Sequence, residues 1–327
     1  MIARPGRPWR LIGLALTAVA VIDACGGSSP GTGPQRASPS QSAAPVTAVP
    51  ATTPPRSPID AVPASGIGTR LGPWRLASRF VVLAALSDQG LATLSRPGKK
   101  TTIVFRGPLS IRKQLRQQGW NHIGDPDAWH GYLFDAYQAS PPTAEKLFEV
   151  TGPAGATHDF IHPLDPGEAL NNSFVAVSPS GQWMVAGEWN EMDRLLVFPT
   201  PVLNHAALTT RKTLPMAGTI SLDHPVRDVQ GCDFVTSTKL LCSTNDPSTD
   251  LWPTPYQLLS ITFARALVGT PVTGHVSELG ELPRLSNCTG PYEVEGIDFQ
   301  VASGPLRVEV RPPGKCGLAT TVYDYRR

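Results

Sequence analysis

The sequence predicts an all-β fold: a β-propeller of five blades, with six as the alternative count, placed after an export signal and a disordered linker. Three observations lead there. Short strand-type segments separated by Gly, Pro, Asn and Asp clusters fill the chain from residue 71 onward. Helical periodicity is confined to one short segment, 111–118. A unit of strand, tight polar turn and second strand recurs at intervals of about 60 residues, a blade-sized period.

Taken in order, the chain opens with Arg4, Arg7 and Arg10, an apolar run from Leu11 to Ile22, then Asp23, Ala24, Cys25 and two glycines. The run is too short to cross a bilayer, which takes about 20 apolar residues. A positive head, a short apolar middle and small residues around a cysteine describe a cleaved signal, residues 1–24. Residues 25–70 are rich in Pro, Ser, Thr, Ala and Gly and poor in large apolar groups. Such a stretch cannot bury enough surface to offset its ordering entropy, so a disordered linker is expected, with a reach on the order of 35–40 Å. Gly27-Ser28-Ser29-Pro30-Gly31 in this linker fits Gly-x-Ser-x-Gly, but no strand precedes it and no helix follows, as a nucleophile elbow requires.

Residues 71–327 are long enough to bury a sizeable core as one domain. Strands are expected at 80–86, 101–105, 131–137, 146–150, 173–178, 183–187, 194–198, 239–243, 257–263, 296–301, 306–311 and 319–325. The repeat unit is plainest at Phe174–Ala186, Cys232–Cys242 and Gly296–Val308, with a looser copy from His122 to Tyr137. The segments at 80–86 and 319–325 are both terminal and strand-like, so they are expected to share a blade and close the ring.

Removing residues 1–24 takes away three arginines and one aspartate, leaving 25 basic and 25 acidic residues. A near-neutral chain excludes a general polyanion binder, and no nucleic-acid partner is expected. The signs are segregated: nine basic residues against Asp88 from Arg75 to Arg116, then eleven acids against Lys146 and Arg194 from 117 to 200. Two adjacent modules with offsetting faces explain this more simply than a basic surface for lipid or polymer. Apart from Cys25 there are four cysteines, and an even number in an exported chain suggests disulfides, with three pairings open. Local pairing, Cys232 with Cys242 and Cys288 with Cys316, is expected because each pair flanks one apparent hairpin. No Cys-x-x-Cys is present, so a zinc ribbon or a thioredoxin-type site is unsupported.

Ile22, Ala24, Cys25 and Gly26 resemble the lipobox of bacterial lipoproteins, with Asp23 standing where a small uncharged residue is usual. This resemblance implies diacylglycerol on the Cys25 sulfur, each buried lipid CH₂ contributing roughly 0.8 kcal/mol of membrane affinity. It implies a chain anchored in the cell membrane on the extracytoplasmic face. Ser178-Pro179-Ser180-Gly181, between two strands, resembles the WD40-like propeller repeat of periplasmic proteins, with Ser180 in place of the usual turn aspartate. The compositional bias together with the lipoprotein layout is similar to uncharacterised actinobacterial cell-envelope lipoproteins. The Glu295-Gly296-Ile297 step resembles an inner strand of some propeller esterases and phytases.

Candidate chemistry is sparse. His122, expected on an innermost strand facing the channel, is the leading ligand or catalytic candidate, with Asp125, Glu295 and Asp298 beside it. Asp125 and Asp127 offer hard oxygen ligands for a calcium ion, the one cofactor the sequence suggests. His158 and His162 have the spacing of a zincin pair, but Gly155 and Pro163 argue against the helix that motif needs. Trp120, Trp129, Trp183, Trp189 and Trp252 read as blade packing rather than a sugar platform. The function expected is a non-catalytic binding or scaffolding module of the cell envelope. It would be a monomer, with an envelope protein or cell-wall polymer as partner. The alternative is a propeller hydrolase of envelope sugars or phosphoesters, and a plain structural wall component is a third reading. Convergence of the four candidates at a channel mouth would favour the hydrolase.

Overall fold

Short alternating strands must hide their sheet edges, and this chain does so by closing a ring. The computed structural model describes residues 66–170, 173–204, 213–300 and 304–327. They belong to one unit, Pro50–Arg327. Cys25, the signal and most of the linker lie outside the described residues.

Strands β1 (Arg70–Leu71) and β2 (Trp74–Leu83) form a hairpin that runs into the single turn α1 (Ala84–Ser87). Strand was expected to continue through residue 86. Ala84-Ala85-Leu86 instead follows its helical propensity once β2 reaches the sheet end. Strands β3 (Gly90–Leu94) and β4 (Thr102–Arg106) pair alone. A 3-10 turn (Pro108–Ser110) and the short α2 (Lys113–Gln117) follow, the latter inside the expected helical segment.

Next come β5 (Trp120–Ile123), β6 (Asp127–Trp129), β7 (Tyr132–Ala139), β8 (Glu145–Thr151) and β9 (Thr157–Pro163). Strands β5 and β6 lie end to end along β7, with β8 and β9 outside it. Strands β10 (Ala176–Val177), β11 (Trp183–Ala186), β12 (Glu191–Pro199) and β13 (Gly218–Arg227) form one antiparallel set of four. Strands β14 (Val229–Thr236), β15 (Lys239–Thr244), β16 (Gln257–Phe263) and β17 (Val272–Glu281) form another. The outer strands β13 and β17 pair in parallel at Ile220–Leu222 and Val272–Gly274, which merges the two sets into one eight-stranded sheet. The last set is β18 (Glu293–Phe299), β19 (Leu306–Arg311) and β20 (Ala319–Arg326), with β2 on its outer edge.

The strands β3, β6, β10, β14 and β18 contact one another in a closed cyclic order. They are the inner strands of a β-propeller-like ring. Closure is as expected: Phe80 faces Val322 and Arg79 faces Tyr323 across β2 and β20. Phe80, Val82 and Val322 bury their side chains against Leu91, Ile103 and Phe105 of the neighbouring sheet. Each such fully buried side chain contributes roughly 1.5–3 kcal/mol. Both disulfides have the expected pairing. Cys232 and Cys242 are register partners on β14 and β15, with Cα atoms 4.1 Å apart. Cys288–Cys316 ties the segment before β18 to the 3-10 turn Gly314–Leu318 before β20.

The segregated charges meet across adjacent sheets. Arg106 of β4 binds both carboxylate oxygens of Asp135 on β7, at 2.6 and 2.8 Å. Arg112 reaches Glu149 and Asp159 on β8 and β9. The basic block and the acidic block are in these places two sides of one contact.

Candidate functional site

The channel of the ring is built in two tiers, and the sequence spacing of the inner strands produces them. Successive channel-facing side chains on a strand are two residues apart. Strand β14 carries Gly231 and Asp233, β18 carries Gly296 and Asp298, and the β5–β6 segment carries Asp125 and Asp127.

The inner tier is Asp125, which is fully buried. Its Oδ1 accepts the Leu91 N–H and its Oδ2 the Ile297 N–H, each at 3.0 Å. Its own N–H donates to Ser173 O at 2.7 Å, and its carbonyl accepts the Val175 N–H at 3.1 Å. Gly90, Gly231 and Gly296 leave the space its carboxylate fills. A Cβ on them would lie 2.2, 2.3 and 2.0 Å from its oxygens. One side chain thus contacts inner-strand segments from all around the ring. Burial holds its carboxyl well above the usual carboxylate range, outweighing the two N–H bonds.

The mouth tier lines a pocket of about 190 Å³. Asp127, Asp233 and Asp298 face it from three different inner strands, with Trp129 beside them, while the rings of Phe234 and Phe299 pack into the cores behind. Each carboxylate is pinned to the strand beside it. Asp127 accepts the Val177 N–H at 2.5 Å, Asp233 the Phe299 N–H at 2.6 Å, and Asp298 the Thr93 N–H at 2.8 Å. Asp298 also accepts the Thr93 hydroxyl at 2.6 Å and pairs with Arg307 at 2.7 Å. These bonds satisfy N–H groups on the open edges of the inner strands. Burial pushes the Asp127 carboxyl up to about 7. Burial also raises Asp233, with Asp127 and Asp298 adding like-charge repulsion. Trp129 rests on the Ser178–Gly181 turn, donating to Pro179 O at 3.2 Å. Gly181 has φ of +70° and no room for a side chain, since a Cβ would meet the indole at 2.5 Å.

Of the candidates read from the sequence, Asp298 and Asp127 line the pocket together. Asp125 is sealed beneath them, both oxygens committed to backbone N–H groups. Asp125 and Asp127 therefore do not face one cation as a pair. Glu295 is buried near the far end of β18, where burial, helped by Glu293, Glu309 and Asp88, holds its carboxyl well up. His122 is half-buried on β5 opposite Gln138, outside the pocket, and burial lowers its pKa. Trp120, Trp183 and Trp252 pack in cores as expected, and Trp129 packs on a core while also lining the pocket. Asp233 was not singled out by the sequence reading. Its signal is the repeated Gly-x-Asp-Phe of 231–234 and 296–299.

Among the described residues, metal-type atoms gather at His162, Asp165 and Glu168, within 4.8 Å. His158 and His162 stand on strand β9, not on a helix. His162 hydrogen-bonds Leu214 O through Nδ1 at 2.9 Å and Glu168 through Nε2 at 2.8 Å. The buried Lys146 ammonium sits 2.6 Å from Glu168 and donates to Gly187 O at 2.9 Å. An ammonium already neutralises the carboxylate, so this cluster is an ion-pair clamp between the β7–β9 and β10–β13 sets.

No family model matches the chain, and no curated protein matches it. Among solved structures it is similar to the native Bacillus subtilis arabinanase Arb43A, with 11% identity and a TM-score of 0.35 over 79% of this chain and 96% of that one. A likeness at that level bears on neither the activity nor the residues of this chain.

Proposed function

We propose that this chain is a lipid-anchored, extracytoplasmic binding module whose ring offers the mouth pocket to a small polyhydroxylated unit, such as one sugar of a cell-wall polymer. The observation that carries this reading is the convergence of Asp127, Asp233 and Asp298 beside the Trp129 ring. Carboxylate oxygens accept ligand hydroxyls, and an indole face packs on the apolar side of a sugar ring. Backbone N–H groups hold the three carboxylates in place before any ligand arrives, which limits the ordering cost of binding. The same pinning speaks for recognition over turnover. The lipid anchor rests on the Cys25 sequence pattern.

A second reading, glycoside hydrolysis, draws on one observation. Asp127 is pushed up to about 7, while Asp298 on the same pocket is paired with Arg307. A carboxyl that keeps its proton near neutral pH, beside a second carboxyl on the same pocket, is what acid–base cleavage of a glycosidic bond uses.

Calorimetric titration of the whole chain with envelope-derived mono- and disaccharides tests the reading. Binding should weaken about tenfold in Trp129→Ala and in Asp233→Asn. Equal affinity in all three proteins, or none for any saccharide, overturns it. Product release with a pH profile centred near 7, abolished in Asp127→Asn, selects hydrolysis instead. Replacing Cys25 by Ser should move the chain from the membrane fraction to the medium, or leave it unprocessed. Unchanged fractionation and processing overturn the anchor.

A further inference from the structure

The face of the ring at the Leu83 end of β2 carries an apolar patch that the pocket does not use. Leu83, Leu109 and Leu318 are 63, 57 and 77% exposed. They come from three separate parts of the chain. Leu83 ends β2 just before α1, Leu109 sits in the Pro108–Ser110 turn, and Leu318 ends the Gly314–Leu318 turn. Both turns pack on α1, which brings the three exposed leucines to the same end of the ring as the exposed Ala85. Gly107 lets the Leu109 turn approach, since a Cβ there would come within 2.7–2.9 Å of the α1 backbone. Among the described residues only Ile67, Trp189 and Val268 are other large apolar side chains so exposed, and they come from other segments. Isolated exposed leucines need no explanation, but a cluster on turn tips does.

The surroundings of the patch are basic. Arg116 is exposed and donates to Pro108 O and Ile111 O, which fixes its guanidinium beside Leu109. Lys113 is exposed on the same short helix, and Lys315 is exposed in the turn that ends at Leu318. Of the acids here, Asp88 and Glu293 face Arg311, while Glu295 and Glu309 are buried with their carboxyls pushed up by burial, so none of the four meets the exposed cations. Protruding leucines next to unneutralised cations match a bilayer surface with anionic headgroups. The leucines enter the interface while the cations meet phosphates.

We propose that this face docks on the anionic membrane surface, so that the lipid anchor and the ring together fix which way the pocket points. The strands carry the mouth pocket at the end of β18 opposite Glu293, so docking turns it away from the bilayer, toward the cell wall. The proposal rests on the lipid-anchor reading, and the test separates the two.

Single cysteines at 83, 109 or 318, and at 268 as a control, are labelled with an environment-sensitive fluorophore in the acylated full chain. The four native cysteines of the ring are in disulfides and do not react. The chain is bound to vesicles of zwitterionic lipid with or without 30% anionic lipid. Expected are blue-shifted emission and quenching by brominated lipid at 83, 109 and 318, only on anionic vesicles, with the 268 label unaffected. Reversing Arg116 and Lys315 to Glu should lower the docking equilibrium constant at least thirtyfold, about the effect of two surface cations. A chain that floats with vesicles while all labels stay in water overturns docking and leaves the anchor intact. A chain that does not float overturns the anchor. Labels that are shielded equally without vesicles overturn the membrane in favour of a second copy of the chain.

Discussion

The two tiers of the channel use the same residue for opposite ends. Asp125 and Asp127 are two positions apart, yet the first is sealed under three glycines and the second opens on solvent. What separates them is the neighbouring strands. At the level of Asp125 they supply Gly90, Gly231 and Gly296, and at the level of Asp127 they supply Asp233 and Asp298. A carboxylate surrounded by hydrogen atoms becomes a structural rivet. Carboxyl groups gathered at one opening form a site that a ligand can reach. The environment that the other strands provide assigns the role, not the residue type.

The sharpest way to break this contrast is to remove the rivet. Asp125→Ala leaves the Leu91 and Ile297 N–H groups unpaired in the interior and should cost about 4 kcal/mol, at 1–3 kcal/mol for each orphaned group. Asn at 125 restores one acceptor and should cost about half as much. Urea unfolding measures both, and an Asp125→Ala variant as stable as the parent would refute the rivet. Next in size is the brace behind the mouth tier. Replacing Cys232 and Cys242 by Ala opens a 10-residue loop and should cost about 2.7 kcal/mol, against about 3.6 kcal/mol for the 28-residue loop of Cys288 and Cys316. Thermal melts of the two double variants give the order. Gly231→Ala should cost about 1–3 kcal/mol by crowding Asp125, and the loss should shrink when Asp125 is already Ala.

The response to pH comes from buried carboxyls at both ends of the ring. Burial pushes the Asp127 carboxyl at the mouth up to about 7 and the Glu309 carboxyl, on β19 against Ser87 and Thr320, up to about 8. The folded state therefore holds these protons more tightly than the unfolded chain. Their stabilisation is full below the ordinary carboxylate range and is lost as pH rises through about 7 to 8. Melting temperature should fall by roughly 3 °C or more between about pH 5 and pH 8. The drop should be smaller in Asp127→Asn with Glu309→Gln. A melting temperature that rises over that interval would contradict the assignment. Asp233→Asn should change stability least, within about 1 kcal/mol, while weakening the ligand.

Much of this ring was legible in the sequence because alternation and turn residues are local signals. The repeat units, the closure of β2 on β20 and both disulfides followed from them. Strand β3 was missed because Gly90-Leu-Ala-Thr-Leu94 is short and does not alternate. It pairs with β4, the next strand, and is held to the channel by Asp125, which is distant in sequence. Strands β13 and β17 were missed because Pro225, Gly274 and Gly280 interrupt their patterns, and outer strands tolerate such residues. The site was half legible. Asp127 and Asp298 were named, but a single chain does not reveal that glycines on other strands bury Asp125. His122 and Glu295 are aligned with the channel in sequence and sit away from the pocket in space.

The seam of the ring has a practical consequence. Arg326 of β20 lies opposite Arg75 of β2, so the carboxy terminus ends beside the start of the closing strand. A short hairpin joining Arg327 to Trp74 would make β18, β19, β20 and β2 one continuous meander. New ends could then be cut between β4 and β5, circularly permuting the domain at the expense of β1 while β2, β20, β19 and β18 keep their register.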